Sequence, residues 1–315
     1  MALIYHNLME VKRVLVTGGA GFIGSHLVDE LIKKGHKVTI VDNLSTGEKE
    51  NLNPKAKFYN LDIRDSKISE VFEKEKPQII FHLAAHLSVQ DSIIHPSECS
   101  SINILGSLNL IENLIRFNEN ISDCKFIFSS TGGAIYGDAS VVPTSEDYIE
   151  LPLSPYGVSK LAFEKYLNYY YEIFKLPFVS LRYANVYGPR QKKGVIPIFC
   201  NNMLKKQKVI INNDGQQTRD FVFVKDVVKA NLLSMENKLG IFNIGMKEET
   251  TVNTIFDKIN SLIGLNSEKE YKELKFKEQS RSCLDNSKAL KELGWIPDYN
   301  FDRGLRKTVN WFKGK

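Results

Sequence analysis

Short apolar runs alternate with amphipathic segments along the first half of the chain, a pattern typical of repeated strand–helix–strand units. The first run, 11–17, precedes a segment with helical spacing at 22–34 and a second run at 37–42. Further strands are predicted at 57–61, 78–83, 125–128 and 178–183. Because strands that alternate with helices become parallel, the pattern predicts a Rossmann-type α/β fold with a doubly wound parallel sheet.

The pattern becomes less regular after residue 190, where polar turns such as 212–215 interrupt it. A helix is predicted at 251–263, and the run 240–245 is predicted to return to the main sheet as a strand. We therefore predict a smaller, discontinuous C-terminal substrate-binding lobe. The predicted division is a dinucleotide-binding domain of 1–185 plus about 222–248 and a lobe of about 186–221 plus 249–315.

Composition narrows the class of protein. The 315 residues are 43% hydrophobic and 25% charged, which excludes a disordered chain or a coiled coil. No apolar run is long enough to span a bilayer and 1–10 lacks a leader pattern, so we expect a cytoplasmic protein without membrane contact. The net charge of +5 is spread along the chain, which predicts no nucleic-acid partner. The cysteines lack metal-type spacing and are predicted to be free thiols, with no metal site: Cys99, Cys124, Cys200 and Cys283.

A glycine-rich segment lies between the first predicted strand and the first helix. Gly19, Gly21 and Gly24 fit the G-x-G-x-x-G spacing, and Gly18 offers a second register. Such glycines let a pyrophosphate approach the helix N-terminus. Asp42 ends the second strand, where a carboxylate accepts hydrogen bonds from the adenosine ribose and repels a 2′-phosphate. The segment therefore predicts a dinucleotide site that favours NAD(H) over NADP(H).

Tyr156 and Lys160 form a Tyr-x-x-x-Lys pair, which places both side chains on one face of a helix. An ammonium group beside a phenol stabilises the phenolate and lowers its pKa from about 10. Alone, such a pair is a common feature of amphipathic helices. Ser129, Ser130 and Thr131 end a predicted central strand and add hydroxyls at the edge that faces the crevice. Together these residues predict acid/base chemistry on a hydroxyl group.

These features, in this order, resemble the extended short-chain dehydrogenase/reductase family over nearly the whole chain, and most closely its UDP-glucose 4-epimerase branch. The stretches that carry the resemblance are 16–26, 41–47, 82–85, 128–137, 154–160, 182–190 and 219–221.

The resemblance implies NAD as the cofactor, with Asp62 and Ile63 beside the adenine. Lys160 is then expected to bind the nicotinamide ribose and to lower the pKa of Tyr156. The full set of implied cofactor contacts is Gly18, Gly21, Phe22, Ile23, Gly24, Asp42, Asn43, Asp62, Ile63, Leu83, Ala84, Ala85, Ser129, Tyr156, Lys160 and Tyr183.

The reaction implied by the resemblance is inversion at C4 of a nucleotide sugar. Tyr156 takes the proton of the 4-hydroxyl while C4 is oxidised, and the 4-keto sugar then turns over and is reduced on its other face. Thr131 is the first choice for the hydrogen-bond partner of the 4-oxygen, with Ser130 as the alternative. Related 4,6-dehydratases carry Asp and Glu where this chain has Gly132 and Gly133, and related decarboxylases carry a glutamate in the same turn. Elimination and decarboxylation therefore lack their acid/base group here.

Five residues are expected to bind the substrate by the same resemblance. Arg219 has the guanidinium geometry that matches a diphosphate, and Asn185 is placed beside it. Val195 is expected to offer backbone contacts and Glu278 lies in a variant of the usual nucleotide-binding motif. Ser282 replaces a bulky tyrosine of some relatives, which leaves volume for an N-acetyl group.

Several alternatives remain open from the sequence. The main substrate could instead be UDP-glucuronate or UDP-N-acetylglucosamine, and a dehydratase, a decarboxylase or a non-catalytic NAD-binding protein shares the same fold. The apolar segments 102–117 and 156–174 are helices that the family pairs across a two-fold axis. We therefore expect a homodimer with a four-helix interface.

Overall fold

A computed structural model describes residues 10–236, 238–273 and 279–315. Within these residues the strands are β1 (Arg13–Thr17), β2 (Lys37–Val41), β3 (Lys57–Tyr59), β4 (Ile79–His82), β5 (Lys125–Thr131), β6 (Phe178–Tyr183), β7 (Asn185–Tyr187), β8 (Val209–Asn212), β9 (Thr218–Arg219), β10 (Phe221–Phe223), β11 (Gly240–Ile244), β12 (Thr250–Thr251) and β13 (Lys269–Lys272). The α-helices are α1 (Phe22–Lys33), α2 (Ile68–Glu75), α3 (Val89–Ile94), α4 (Pro96–Ser100), α5 (Ser107–Phe117), α6 (Gly132–Ile135), α7 (Pro155–Phe174), α8 (Val195–Leu204), α9 (Val224–Leu233), α10 (Val252–Ile263) and α11 (Phe301–Lys313). A π-helical segment, Ser101–Gly106, joins α4 to α5.

Seven parallel strands form the central sheet in the order β11-β6-β5-β4-β1-β2-β3. The chain builds outward from β1 to β3 on one side and then from β4 to β6 on the other. The predicted doubly wound sheet and the predicted return of 240–245 to it are both confirmed. The order reverses between β1 and β4, so the crevice for a ligand lies at their carboxyl ends.

Both faces of the sheet are buried, which explains the continuous apolar runs of its strands. In β1, Val14 and Val16 pack in one core, and Leu15 between them packs in the other. The first core receives α1 and α9, and the second receives α5 and α7. Because successive side chains of a strand point to opposite faces, a strand covered on both sides has no polar alternation.

A third core lies outside the central sheet and is formed mainly by α8, α10 and α11. It includes residues of the predicted substrate-binding lobe. Ala289, Leu293 and Trp295 pack in the first core, against the main sheet, and the indole of Trp295 donates to Asp226 O at 2.8 Å. The segment around Trp295 therefore packs against the main sheet, and the predicted domain boundaries stay a prediction.

Helix α7 carries the predicted Tyr156/Lys160 pair close to its start. Ser154 caps the helix by accepting a hydrogen bond from Gly157 N, and Pro155 occupies the first turn, where it needs no N–H partner. Phe163 and Leu167, four residues apart, face the second core. Capping and packing therefore fix which face of α7 points to the carboxyl end of β5.

Candidate active site

The glycine-rich loop after β1 lies against the residues that follow β4. Gly18 has a φ of +71°, and a Cβ at this position would lie 2.7 Å from Ala84 N. A Cβ at Gly24 would lie 2.1 Å from Gly18 O. Since neither contact leaves room for a side chain, the loop closes tightly over the first turn of α1. This brings the predicted cofactor residues Gly18, Gly24 and Ala84 together.

The N-terminus of α1 is suited to an anion. Gly21 occupies the N-cap position, no side chain among the described residues caps the helix, and its first turn carries no acidic residue. Phe22 and Ile23 begin the helix directly behind the glycines. The first N–H groups therefore retain hydrogen-bonding capacity and the positive end of the helix dipole. The arrangement fits the pyrophosphate of a dinucleotide.

The carboxylates predicted for the adenosine half lie after β2 and β3. Asp42 accepts hydrogen bonds from Ala20 N at 3.0 Å and Leu44 N at 2.8 Å, and burial raises its pKa. Asn43 donates to Asp62 at 3.0 Å, and the ion pair with Arg64 lowers the pKa of Asp62. Two carboxylates and an amide thus lie on the β2–β3 side of the glycine-rich loop.

Ile63, which is predicted to lie beside the adenine, follows β3. Its side chain is buried in the second core, and a Cβ at Gly106 would lie 2.7 Å from its Cγ1. The apolar side chain therefore packs near the π-helical segment that precedes α5, and the position of Ile63 beside the adenine stays a prediction.

The ends of β1 and β4 are joined by a buried histidine that sequence reasoning did not single out. His82 lies between the hydroxyls of Thr17 and Ser107, at 2.7 Å from each, and burial holds its pKa well below its usual value. Leu83 N donates to Thr17 O, and Ala84 N donates to the Thr17 hydroxyl. In the sequence, a histidine at the end of an apolar run was the signal that could have indicated this buried group. This network fixes the segment from Leu83 to Ala85 at the crevice.

The reacting groups meet at the carboxyl end of β5. Lys160 Nζ donates to Ser129 O at 2.8 Å, and the side chain of Thr131 lies beside the hydroxyl of Tyr156, where it acts to lower the pKa of the phenol. The Ser129 hydroxyl lies 3.1 Å from that of Tyr183. Ser130 is buried, and its hydroxyl has no hydrogen-bond partner within the described residues. Of the two candidate hydroxyls, Thr131 is therefore the one that contacts Tyr156.

The pKa of Tyr156 differs in direction from the sequence prediction. Burial raises this pKa, and the hydrogen bond with Thr131 only partly opposes the increase. Burial also lowers the pKa of Lys160 to about 7. Burial disfavours the charged form of both side chains, and the predicted lowering of the Tyr156 pKa by Lys160 stays a prediction.

Asn103 also lies next to these residues and was not predicted. Its amide donates to the Ser159 hydroxyl at 2.9 Å and accepts from His86 N at 2.7 Å. Asn103 lies within the π-helical segment Ser101–Gly106, where the widened turn directs it toward α7. An amide inside an otherwise apolar helical pattern was the only signal in the sequence.

Two of the predicted substrate residues, Asn185 and Ser282, lie beside the turn after β5. A Cβ at Gly133 would lie 3.5 Å from Ser282 Oγ and 3.9 Å from Asn185 Oδ1, so both side chains border the space next to Gly133. Arg219, at the end of β9, donates to Thr218 O at 2.7 Å. Val195 begins α8. Glu278 lies outside the described residues.

Gly132 and Gly133 differ in the room they leave. A Cβ at position 132 would lie 2.5 Å from a methyl carbon of Leu284, whereas the contacts at position 133 are ordinary. An acidic side chain at 132 therefore needs Leu284 to move. Together the described residues place one phenol, two hydroxyls and one amine at the site, and position no carboxylate in this turn.

This geometry defines a dinucleotide-dependent enzyme that acts on a hydroxyl group. The model of the NAD dependent epimerase/dehydratase family matches residues 14–245. The chain belongs to this family, and the resemblance stated from the sequence is confirmed, as is NAD as the predicted cofactor.

Individual relatives are similar over almost the entire chain. A putative UDP-glucose 4-epimerase of Methanocaldococcus jannaschii is 44% identical over 95% of this chain and 98% of its own length. The UDP-glucose 4-epimerase of Thermotoga maritima, solved with UDP-glucose, is 45% identical with a TM-score of 0.91, covering 96% of this chain and 98% of that one. The UDP-glucose 4-epimerase of Thermus thermophilus, in complex with NAD, is 38% identical with a TM-score of 0.91, covering 96% and 99%. Among the described residues, no helix has the length and apolar character needed to cross a membrane.

Proposed function

We propose that this protein is an NAD-dependent UDP-glucose 4-epimerase, which interconverts UDP-glucose and UDP-galactose. The observation that carries the proposal is the position of Tyr156 beside Thr131, on the helix that also carries Lys160, next to a turn where Gly132 and Gly133 leave no acid. An epimerase needs one group that takes and returns a proton. It needs neither the acid that expels a hydroxyl nor the base that removes a proton at C5.

Each proposed role follows from the position of its residue. NAD, when bound, supplies the acceptor and donor of hydride at the sugar C4. Tyr156, in its phenolate form, takes the proton from the 4-hydroxyl, and Thr131 borders both that oxygen and the phenol. Lys160 is proposed to hold the nicotinamide ribose from the same face of α7. Tyr156 returns the proton after the 4-keto sugar has turned over.

The diphosphate is proposed to remain fixed while the sugar turns. Arg219 offers a guanidinium that can bind a diphosphate through two parallel hydrogen bonds, and Asn185 adds an amide. Because both residues lie on short strands outside the turn that follows Thr131, the sugar can rotate while its diphosphate stays bound.

Product analysis tests the proposed function. The purified protein, supplied with NAD, is incubated separately with UDP-glucose, UDP-N-acetylglucosamine and UDP-glucuronate, and the products are read by NMR. We expect inversion at C4 of UDP-glucose. Loss of water or of carbon dioxide, or no C4 inversion of any of the three sugars, would contradict the proposal.

A second sugar is proposed from the size of Ser282. Its hydroxyl borders the space beside Gly133, and a small residue there leaves volume for the N-acetyl group of UDP-N-acetylglucosamine. We expect Ser282→Tyr to lower the ratio of kcat/KM for UDP-N-acetylglucosamine to kcat/KM for UDP-glucose by about tenfold or more, because the ring fills that volume. Ser282→Ala should keep the ratio. An unchanged ratio in the tyrosine variant would remove Ser282 from sugar selection.

A homodimer is proposed from an exposed apolar stripe on α7. Val158, Tyr166, Tyr169 and Ile173 are between 42% and 62% exposed, and their spacing places them on one helix face. Leu105, on the neighbouring helical segment, is 62% exposed. An exposed apolar stripe on α7, with Leu105 exposed on the neighbouring segment, fits the predicted four-helix interface.

Light scattering tests the dimer. We expect a mass of two chains at micromolar concentration, and a mass of one chain for the variant Tyr169→Glu/Ile173→Glu, because charges at a paired apolar face are unfavourable. Leu290→Glu changes an equally exposed apolar residue away from the stripe and should remain a dimer. A single-chain mass for the unmodified protein would contradict the proposal.

The proposed setting is the cytoplasm, within galactose metabolism. Four cysteines, Cys99, Cys124, Cys200 and Cys283, are buried free thiols. Unpaired cysteines fit a reducing compartment, where thiols persist.

A further inference from the structure

Asp220 lies where three segments around the proposed substrate residues meet. Its side chain is buried, with the residue only 1% exposed. Oδ1 accepts a hydrogen bond from Met246 N at 2.8 Å, and Oδ2 accepts from Leu284 N at 3.2 Å and Lys247 N at 3.3 Å. One carboxylate therefore joins the segment after β11 and the segment 282–284 to the strand region that follows Arg219.

The backbone of Asp220 makes two further connections to this group. Asp220 N donates to Ser282 O at 2.9 Å, and Asn185 N donates to Asp220 O at 2.9 Å. Arg219 is its immediate neighbour in the chain. Each proposed substrate residue of this wall is therefore one hydrogen bond or one peptide bond from Asp220.

Gly245 shows how closely the carboxylate is enclosed. A Cβ at this position would lie 2.4 Å from Asp220 Oδ2, so the carboxylate packs directly against the glycine backbone. A side chain at 245 would displace the oxygen that accepts two of the three backbone hydrogen bonds. The close approach thus depends on a residue without a side chain.

We propose that Asp220 is a positioning residue for nucleotide-sugar binding: its backbone forms hydrogen bonds with Asn185 and Ser282, and its carboxylate anchors this wall to the segments 246–247 and 284. The proposal rests on the proposed function and deepens it. Asp220 itself stays behind the wall and does not touch the substrate. Its removal should weaken binding of the sugar nucleotide while leaving the reacting groups on β5 and α7 in place.

Burial of Asp220 makes its proposed effect on affinity depend on pH. It raises the pKa of Asp220 to about 6 from an ordinary 3.8, although the backbone hydrogen bonds oppose the increase. When the carboxyl binds a proton, one oxygen becomes a hydrogen-bond donor and can no longer accept hydrogen bonds from the backbone N–H groups. Affinity for the sugar nucleotide should therefore fall as the pH falls through about 6.

Folding stability changes with pH in the direction opposite to affinity. Because the folded pKa lies above the unfolded value, proton uptake by Asp220 stabilises the fold as the pH falls from about 6 toward 4. A loss of affinity in this window therefore does not arise from acid unfolding through Asp220. Among the other charged or titratable groups around Asp220, Glu248 raises the pKa of Asp220. The remaining groups are Lys247 paired with Asp285, Arg281 paired with Glu249, Cys283 and Arg219.

The test is Asp220→Asn, with the affinity for UDP-glucose measured by titration calorimetry. UDP-glucose is the probe because it has no terminal phosphate that titrates near this pH. At neutral pH we expect Kd and KM to rise about tenfold, since one backbone N–H then faces an amide NH2, and kcat to stay within about twofold. Below about pH 6 the Kd of the unmodified protein should rise, while that of Asp220→Asn should stay flat.

Asp226→Asn is the matched control. Asp226 is also 1% exposed, burial raises its pKa to about 6, and it accepts from Asp298 N and Tyr299 N. None of these partners is a proposed substrate residue, so this variant should lose thermal stability and keep its Kd.

Two outcomes overturn the positioning role: an equal rise in Kd for both variants, or a Kd of the unmodified protein that does not change with pH. The second measurement needs no variant to fold. Failure of the proposed function is separate, because it appears as UDP-glucose binding without C4 inversion in the unmodified protein.

Discussion

Tyr156→Phe should lower kcat for UDP-glucose epimerisation by about a thousandfold or more, while the protein still folds and binds NAD. The variant removes one oxygen at the residue that contacts Thr131 beside Lys160. General acid–base groups contribute about 10²–10⁴ in rate, and no carboxylate in the turn after β5 can replace the phenol. The measurement is C4 inversion followed by NMR, with NAD binding measured separately by titration calorimetry.

The control for this variant is Tyr169→Phe, on the same helix. Tyr169 is 51% exposed and its ring packs near Tyr170 and Phe174, away from the reacting groups. It should retain the turnover of the unmodified protein. If Tyr156→Phe keeps more than about a tenth of kcat, the proton acceptor is another group. Thr131→Ala then becomes the next variant to measure, because Thr131 is the hydroxyl that contacts Tyr156.

The hydrophobic pattern of short segments predicted the strands and helices that position the site, because the fold repeats the same strand–helix unit. The strand at 178–183 and the start of α1 at Phe22 agree with the structure. β5 extends three residues beyond its prediction because Thr131 still pairs with Tyr183. The hydroxyls of Ser129 to Thr131 were therefore expected after a strand and lie in its last three residues. Both the prediction and the structure place these hydroxyls at the carboxyl edge of the sheet.

Contacts between distant segments were not predictable in the same way. Asp220 binds backbone groups of 246–247 and 284, and no periodicity connects these positions. Asn103 reaches Ser159 only because a π-helical turn shifts the register before α5. Burial also outweighs sequence spacing at Lys160, whose four-residue separation from Tyr156 predicted a lower phenol pKa. Spacing indicates which groups are near each other, whereas their charge depends on how deeply the fold buries them.

Glu164→Gln should lower the free energy of unfolding by about 3 kcal/mol or more, because it leaves a buried guanidinium without its main counter-charge. The side chains of Glu164, on α7, and Arg182, on β6, are 0% and 1% exposed and form an ion pair at 2.6 Å. The Ser180 hydroxyl also donates to Glu164 at 2.7 Å. These bonds hold α7, which carries Tyr156, against β6. The measurement is urea unfolding at neutral pH.

Glu150→Gln is the control, because Glu150 contacts the same guanidinium at 2.8 Å but its side chain is 24% exposed. Its loss should cost less than about 1 kcal/mol, since water screens the pair. Glu164→Leu/Arg182→Met should recover much of the stability lost in Glu164→Gln, because an apolar pair avoids burying an isolated charge. If Glu164→Gln is no more destabilising than Glu150→Gln, the ion pair does not hold α7 on the sheet. In that case kcat of Glu164→Gln should also be unchanged, because α7 would keep Tyr156 in its place.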